Sequence, residues 1–126
     1  MKKKILVVDD EKSIRELVVL MLRKAGYEVY EAKDGREALE SLYEVSPDMV
    51  ILDALMPRMS GFEACGEIRK NPMFKNVLIF MLTVKSAKQD QLEGYNCGAD
   101  EYMVKTPDIR EVVARVKLVF ERTGPK

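Results

Sequence analysis

Three acids, a threonine and a lysine stand at the ends of short apolar runs of the chain, and these residue types together suit phosphoryl chemistry. The residues are Asp9, Asp10, Asp53, Thr83 and Lys105. Three carboxylates in one place would repel one another, and a single lysine cannot neutralise them all. A divalent cation can, because Mg²⁺ binds through one or two carboxylates, waters and phosphoryl oxygens. The set therefore predicts a Mg²⁺ site that awaits a phosphoryl group.

All three carboxylates are predicted metal ligands, and one of them is also the predicted nucleophile. A carboxylate can attack phosphorus and form an acyl phosphate, and the central position of Asp53 makes it the predicted nucleophile. Asp10 is predicted to bind the metal directly and Asp9 to act through water, joined by the backbone carbonyl of Leu55. The predicted product is an aspartyl phosphate.

Lys105 and Thr83 are predicted to contact phosphoryl oxygens, one through a mobile positive charge and the other through a hydroxyl. Each residue also has an ordinary explanation when it is taken alone. Thr83 could simply end a strand, Lys105 could be a solvated surface residue, and Asp9 or Asp10 could cap a helix. If these ordinary explanations were correct, five residues suited to one chemistry would each stand at the end of an apolar run by coincidence. The chemical interpretation is therefore favoured.

Five apolar runs alternate with five segments of helical spacing. Runs without polar alternation suit strands that are covered on both faces, and apolar residues three or four positions apart suit amphipathic helices. The predicted strands are 5–8, 28–32, 50–52, 77–82 and 101–105, and the predicted helices are one that ends at Gly26, then 34–44, 61–70, 86–97 and 108–122. This alternation predicts right-handed crossovers and a parallel sheet with helices on both faces. In such sheets, ligands bind at the carboxyl ends of the strands, where the strand order reverses.

The fourth predicted helix has the weakest apolar pattern. Its candidates for core contact are Ala87, Leu92 and Tyr95, in a segment that is otherwise polar or glycine. We therefore expect this helix to be the least firmly packed of the five, because an amphipathic helix is held mainly by its apolar face.

Length and charge narrow the possible functions. The chain has 126 residues, which suits one domain, with 21 basic and 21 acidic residues and no histidine. A net charge of zero gives no support for direct nucleic-acid or membrane binding, and no apolar stretch approaches the roughly 20 residues of a membrane helix.

We expect one domain over residues 1–122 and a tail over 123–126. Any imidazole that the chemistry needs must come from a partner.

The two cysteines, Cys65 and Cys97, lie far apart in the sequence. They have neither the spacing of a metal site nor the density of a disulfide scaffold. Interpreted as reduced thiols, they favour a cytoplasmic protein.

The order of several motifs resembles the receiver domain of two-component response regulators over essentially the whole chain. The matching stretches are ILVVDDE at 5–11, DGREALE at 34–40, PDMVILDALMPRMSGFE at 47–63, MLT at 81–83 and GADEYMVK at 98–105. The resemblance implies a flavodoxin-like, doubly wound α/β fold with strand order 2-1-3-4-5. It also implies Mg²⁺-dependent phosphorylation of Asp53 by a partner histidine kinase, whose phosphohistidine would supply the missing imidazole. The chain would be a signalling domain that catalyses only its own phosphorylation and dephosphorylation.

The same resemblance implies a switch and an output surface. Thr83 and Tyr102 would carry the switch, the hydroxyl moving toward the phosphoryl group and the ring turning inward. The fourth helix, fifth strand and fifth helix would then change their contacts with a downstream output protein or domain. Leu55 and Lys85 occupy positions that tune the loss of the phosphoryl group.

A dimer face is a further implication of the resemblance. The fifth helix is similar to that of receivers attached to winged-helix DNA-binding domains, and Glu101, Glu111 and Arg115 match charged positions of their dimer face. Gln91 stands where a lysine is usual, so one ion pair would be missing. The expected state is a monomer or a weak, phosphorylation-dependent dimer.

Two departures from the family pattern keep an alternative open. The family has a small residue after the switch threonine, where this chain has Val84, whose branched side chain could crowd the path to Asp53. The family also follows its lysine with a cis proline, whereas here Thr106 precedes Pro107. A cis bond before a non-proline residue costs about 2.5–4 kcal/mol, so we expect a trans Lys105–Thr106 bond and a reshaped loop. A functional but slowed or altered site is predicted, and an unphosphorylated pseudo-receiver that only binds proteins is the alternative.

Two other classes of protein fit the sequence less well. A flavin-binding electron carrier would need a glycine- and hydroxyl-rich phosphate loop after the first strand, where DDEKS at 9–13 offers two carboxylates instead. A phosphohydrolase that works through an aspartyl phosphate would need a second acid two residues after the nucleophile. That position is Leu55.

Overall fold

The computed structural model describes residues 2–85 and 87–123 and contains the predicted five strands and five helices. In chain order the elements are β1 Lys4–Val8, α1 Lys12–Lys24, β2 Glu28–Ala32, α2 Gly35–Val45, β3 Met49–Leu52, α3 Gly61–Lys70, β4 Leu78–Thr83, α4 Lys88–Asn96, β5 Glu101–Val104 and α5 Ile109–Arg122. A single turn of 3₁₀ helix, Pro72–Phe74, was not predicted. Ser86, predicted to begin the fourth helix, and tail residues 124–126 lie outside the described residues. The proposed boundary between domain and tail at residue 122 stays a prediction.

The strands form one parallel sheet in the order β2-β1-β3-β4-β5, so the flavodoxin-like, doubly wound topology is confirmed. The order reverses between β1 and β3, the point at which such sheets bind ligands. Val8 lies opposite Leu52 there, and the backbone N–H of Asp53 donates to the carbonyl of Val8 at 3.1 Å. The residues that follow β1 and β3 are therefore fixed side by side.

Alternate side chains of each strand enter two separate cores. Leu6 and Val8 of β1 face the core under α2 and α3, whereas Ile5 and Val7 face the core under α1 and α5. All four β3 residues are buried. Burial of both faces explains why the strands carry apolar runs rather than an apolar and polar alternation.

Helix α4 contributes little to either core, which confirms that it packs least firmly. Of its nine residues, all of which the structure describes, Gly94 alone is buried. The prediction that Ala87, Leu92 and Tyr95 face a core is wrong, because Ala87 is exposed and the other two are 54% and 47% exposed. The helix instead sets Gly94 against Tyr102, so closely that a Cβ at residue 94 would lie 2.6 Å from a ring carbon.

The sharp turn after β3 requires a glycine at residue 61. The backbone N–H of Gly61 donates to the carbonyl of Ala54 at 3.0 Å, which folds α3 back onto the end of β3. A Cβ at Gly61 would overlap the carbonyl oxygen of Asp53 and lie 2.8 Å from the Cα of Ala54. Ser60 caps the helix in a reciprocal capping box with Glu63. The glycine thus permits the tight entry into α3.

The part of the chain that the structure describes contains no helix both long and apolar enough to span a membrane.

Replacing Gly61 with alanine is predicted to destabilise the fold. The added Cβ meets backbone atoms, which cannot move aside as a flexible side chain can, so Gly61→Ala should lower the free energy of unfolding by about 1–3 kcal/mol. Urea denaturation of the variant and the wild type measures this difference.

Gly66→Ala is the matched control, since Gly66 lies in the same helix. Among the described residues, a Cβ at Gly66 would meet no atom within 4 Å, and alanine is favoured over glycine inside a helix by roughly 0.5–1 kcal/mol. The control should therefore be neutral or stabilising. Equal losses in the two variants would contradict the proposed backbone overlap.

Candidate functional site

The ammonium group of Lys105 lies between two buried carboxylates. Its Nζ is 2.9 Å from Oδ2 of Asp9 and 2.8 Å from Oδ2 of Asp53. The side chain of Lys105 is only 12% exposed. Residues from the ends of β1, β3 and β5 thus meet in one contact, as the sequence predicted.

Backbone N–H groups hold the other oxygen of each buried carboxylate. Oδ1 of Asp53 accepts a hydrogen bond from the backbone N–H of Leu55 at 2.9 Å. Oδ1 of Asp9 accepts one from the backbone N–H of Glu11, also at 2.9 Å. Each carboxylate is therefore oriented by one backbone bond and one bond from Lys105.

Burial and ion pairing act in opposite directions on the pKa values of this cluster. Burial raises the pKa of Asp9, and the nearby Asp53 charge adds to the rise, while the N–H of Glu11 and the Lys105 ammonium only partly oppose it. Burial alone would lower the pKa of Lys105, but hydrogen bonds and charges from Asp53 and Asp9 outweigh it, so that pKa is raised. Lys105 therefore stays protonated at neutral pH.

Asp10 completes a group of three carboxylates that suits a hard divalent cation. Asp9, Asp10 and Asp53 each offer an oxygen, and these oxygens all lie within 4.8 Å of one another. Asp10 is exposed and lines a cleft of about 350 Å³ together with Lys33, Asp34, Pro57 and Arg58. An all-oxygen donor set with access to solvent fits Mg²⁺. One ammonium against three carboxylates leaves a negative charge that such a cation would neutralise.

Hydrogen bonds of Lys85, in the loop between β4 and α4, link Thr83 to Tyr102. Thr83 is buried, and its backbone carbonyl accepts a hydrogen bond from the N–H of Lys105 at 2.8 Å. Its Oγ1 accepts a longer bond, 3.4 Å, from the N–H of Lys85. The carbonyl of Lys85 in turn accepts a bond from the Tyr102 hydroxyl at 2.8 Å. Val84, between them, is 60% exposed.

The Tyr102 ring is buried and already turned inward in this structure. Burial, with the charges of Asp90, Asp53 and Glu93, raises the pKa of its hydroxyl to about 12. The hydroxyl is therefore a neutral donor at neutral pH. Its bond to Lys85 fixes the loop that carries Thr83.

The inserted Thr106 does not displace Lys105 from the site. Within residues 2–85 and 87–123 there is no cis peptide bond, so the expected trans Lys105–Thr106 bond is confirmed. The Lys105 ammonium reaches both Asp9 and Asp53, and the reshaping of the loop stays a prediction.

The charges assigned to a dimer face take part in contacts within one chain. Glu101 is buried, and its Oε2 lies 3.5 Å from Nη1 of Arg115 and 3.3 Å from Nη2 of Arg122. Its Oε1 accepts a bond from the Tyr95 hydroxyl at 3.1 Å. Glu111 is exposed. Dimerisation through these residues stays a prediction.

Sequence reasoning missed Arg15, which holds the backbone beneath the site. Its Nη1 donates to the carbonyl of Asp9 at 2.8 Å, and its Nε pairs with Glu31 of β2 at 2.8 Å. No pattern in the sequence distinguishes this arginine of α1, whose side chain is 14% exposed, so its contact with Asp9 was not predictable.

The chain belongs to the response regulator receiver domain family, whose model matches residues 5–117. Solved structures agree with this assignment. The chemotaxis response regulator CheY4 of Vibrio cholerae is 37% identical with a TM-score of 0.89, over 94% of this chain and 99% of that chain. A putative response regulator from Chloroflexus aurantiacus is also 37% identical with a TM-score of 0.90, over 97% of this chain and 100% of that chain.

A third solved structure, also of a response regulator protein, contains Mg²⁺-BeF. The response regulator protein TrrA from Thermotoga maritima, in complex with Mg²⁺-BeF, is 44% identical with a TM-score of 0.83. The match covers 93% of this chain and 98% of that chain.

Neutralising Asp9 is predicted to stabilise the metal-free protein at neutral pH. Because the pKa of Asp9 is raised in the fold, ionisation of this side chain opposes folding once the pH exceeds its ordinary value of about 3.9. Asp9→Asn removes that cost, so the free energy of unfolding at pH 7 should rise. The gain should vanish at a pH low enough to protonate Asp9 in both states. Urea denaturation over a pH series measures it.

Asp10→Asn is the control for this prediction, because Asp10 is exposed. We expect it to change the free energy of unfolding by less than about 0.5 kcal/mol. A loss of stability in Asp9→Asn at pH 7 would instead mean that the ion pair with Lys105 outweighs the cost of burial.

Proposed function

We propose that the chain is a phosphorylation switch in which Asp53 accepts a phosphoryl group from the phosphohistidine of a partner histidine kinase. The observation that carries the proposal is the Lys105 ammonium, 2.8 Å from Asp53 and 2.9 Å from Asp9, with Asp10 exposed beside them. A simple surface cap or turn does not require a buried lysine between two acids. The mutual arrangement of all four residues suits transfer to a carboxylate.

In the proposed step a carboxylate oxygen of Asp53 attacks phosphorus as the phosphorus–nitrogen bond of the donor breaks. The imidazole leaves with the bond electrons, and the product is an aspartyl phosphate. Asp9, Asp10, Asp53 and the carbonyl of Leu55 would hold Mg²⁺, which neutralises phosphoryl charge when it is bound. The N–H of Leu55 keeps the Asp53 carboxylate oriented through its bond to Oδ1.

Lys105 and Thr83 are proposed to respond to the new charge. Phosphorylation adds about −1.5 to −2 charge and strong acceptor oxygens. The Lys105 ammonium is already within 2.8 Å of Asp53 and can pair with a phosphoryl oxygen. The Thr83 hydroxyl, which accepts a long 3.4 Å bond from the N–H of Lys85, can donate its own hydrogen to a second phosphoryl oxygen. Both groups are thus drawn toward Asp53.

The output is proposed to be a population shift of the α4–β5–α5 face. Movement of Thr83 pulls on the loop whose carbonyl at Lys85 binds Tyr102, and the Tyr102 ring packs against Gly94 of α4. Helix α4 has little buried surface to resist displacement. Phosphorylation shifts the populations of the two arrangements of this face only to the extent that it stabilises one arrangement relative to the other. A downstream protein or domain would detect the change.

The remaining features of the proposal concern partners, lifetime and location. Leu55 and Lys85 flank the site and are proposed to tune the rate of phosphoryl loss, which the domain would itself catalyse. A weak dimer through the face of Glu101, Glu111 and Arg115 is proposed for the phosphorylated state. The two free thiols favour the cytoplasm, where a kinase partner would act.

The pseudo-receiver alternative rests on Val84 and Thr106. Against it, Val84 is 60% exposed and does not fill the interior of the site, and Thr106 leaves the contacts of Lys105 intact. These observations favour a phosphorylated receiver.

Phosphorylation of Asp53 can be tested with a small donor. Incubation with Mg²⁺ and acetyl phosphate should add the mass of one phosphoryl group to the wild type, measured as intact mass. Asp53→Asn should gain nothing, because an amide cannot form the acyl phosphate. Chelation of Mg²⁺ should also abolish the gain, because phosphoryl charge would no longer be neutralised.

Asp34→Asn is the matched control, since Asp34 lines the adjacent cleft and caps α2. Asparagine is an equally good helix cap, so this variant should be phosphorylated like the wild type. The pseudo-receiver alternative would be favoured if the wild type stays unmodified and if Mg²⁺ with beryllofluoride causes no change in its backbone amide NMR spectrum.

Val84→Ala is predicted to accelerate phosphorylation by acetyl phosphate several-fold. The smaller side chain would open the approach to Asp53 and free the Thr83 loop to move. Intact mass measured on samples quenched at successive times gives the rate of phosphorylation. Leu118→Ala is the control, because Leu118 is a similarly exposed hydrophobic residue on α5. An unchanged rate in Val84→Ala would mean that Val84 does not hinder the donor.

A further inference from the structure

The two cysteines, 32 residues apart in the sequence, are in contact in the fold. The Cys65 thiol, on α3, donates to the backbone carbonyl of Cys97 at 3.3 Å. The Cys97 thiol, at the end of α4, donates to the carbonyl of Gly94 at 3.1 Å. The Cys65 sulfur therefore contacts the backbone of Cys97 itself.

A second set of contacts holds these segments together independently of the thiols. Arg69 lies one turn after Cys65 on α3, and its Nε donates to the carbonyl of Gly98 at 3.0 Å. Its Nη2 pairs with Asp100 at 2.7 Å. The carboxylate of Asp100 also accepts a bond from the N–H of Ile79 in β4 at 2.8 Å. The approach of Cys97 to Cys65 is therefore built into the packing.

The two thiols differ in access and in acidity. Cys65 is fully buried, whereas Cys97 is partly exposed. The hydrogen bond from Cys65 lowers the pKa of the Cys97 thiol despite partial burial, with help from the N–H of Ala99. The same bond and deep burial raise the pKa of Cys65. Since the thiolate is the reactive form, an oxidant should react first at Cys97.

We propose that Cys65 and Cys97 form a reversible disulfide in response to hydrogen peroxide, and that this disulfide links the end of α4 to α3. The Cys97 thiolate would attack the peroxide oxygen, forming a sulfenic acid and releasing hydroxide. The Cys65 thiol then displaces water from that sulfenic acid, and the sulfur–sulfur bond forms. Overall one peroxide is reduced to two waters, and two thiols are oxidised. A dithiol would reverse the reaction.

The tie acts next to the proposed switch. Cys97 immediately follows α4, whose Gly94 packs against Tyr102. Oxidation would add a covalent bond to the Arg69 contacts that already hold this end of a helix with little buried surface. The motion available to the α4–β5–α5 face would then depend on redox state as well as on phosphorylation.

The test oxidises the full, unphosphorylated chain with stoichiometric hydrogen peroxide, then unfolds it in iodoacetamide. Intact mass should fall by two hydrogens, with no alkylation, and peptide mapping should find one cross-linked species that contains Cys65 and Cys97. Dithiothreitol before alkylation should restore two alkylated thiols.

Two single-cysteine variants give the matched controls. Cys65→Ala should still gain oxygen at Cys97 but form no intramolecular bridge. Cys97→Ser should leave Cys65 free to be alkylated after unfolding, because the buried thiol is not reached. Wild-type protein with an oxygenated Cys97 and a free Cys65, with both thiols unreacted, or with bridged dimers, would overturn the proposal.

Hydrogen exchange tests the restraint on α4. In the oxidised wild type the amides of residues 93–98 should exchange more slowly than in the reduced protein, while peroxide-treated Cys97→Ser should match its reduced form. Equal exchange in the oxidised and reduced wild type would overturn the claim that the bridge restrains α4. None of these measurements involves phosphorylation, so their failure would be distinct from a failure of the phosphoacceptor proposal.

Discussion

One ammonium group, that of Lys105, keeps two buried carboxylates side by side, and the arrangement of the site depends on it. Buried carboxylates lose hydration and repel each other unless a cation and hydrogen bonds compensate them. Lys105 follows β5 at the edge of the sheet and reaches past β4 to Asp53 and Asp9, which follow the central strands β3 and β1. Its backbone N–H is held by the carbonyl of Thr83. The contact of Lys105 with both carboxylates therefore depends on the strand order of the sheet.

The compensation is incomplete, and this incompleteness gives the site its capacity for further binding. One positive charge faces three carboxylates, of which Asp10 remains exposed. A divalent cation would neutralise part of this negative charge, and in the proposed function a phosphoryl group on Asp53 would attract Lys105 and Thr83. The neighbouring helix α4 buries one of its nine residues, Gly94, which lies against Tyr102. A change of charge at the carboxylate site therefore occurs close to α4, a helix that is easily displaced because little of its surface is buried.

The sheet and the main site residues were predictable because both follow from geometry that sequence patterns report. Fully buried strands give apolar runs, and parallel strands bring their carboxyl ends together, so Asp53 and Lys105 could be paired although they are 52 residues apart. Contacts set by tertiary packing could not be predicted. The α4 residues Leu92 and Tyr95 were expected in a core, but the approach of Gly94 to Tyr102 orients the helix differently. The contact between the two cysteines likewise depends on how α3 meets the end of α4, which no local spacing encodes.

The most direct measurement of the central claim is a Mg²⁺ titration of the metal-free protein followed by backbone amide NMR. We expect saturable shifts that correspond to one bound ion and are concentrated at residues 9–11 and 53–55, because the three carboxylates and the Leu55 backbone lie there. Asp10→Asn should weaken this binding on the order of tenfold or more. Absence of saturable shifts at those residues, or equal affinity in Asp10→Asn, would contradict a magnesium centre built on the charge that Lys105 leaves uncompensated.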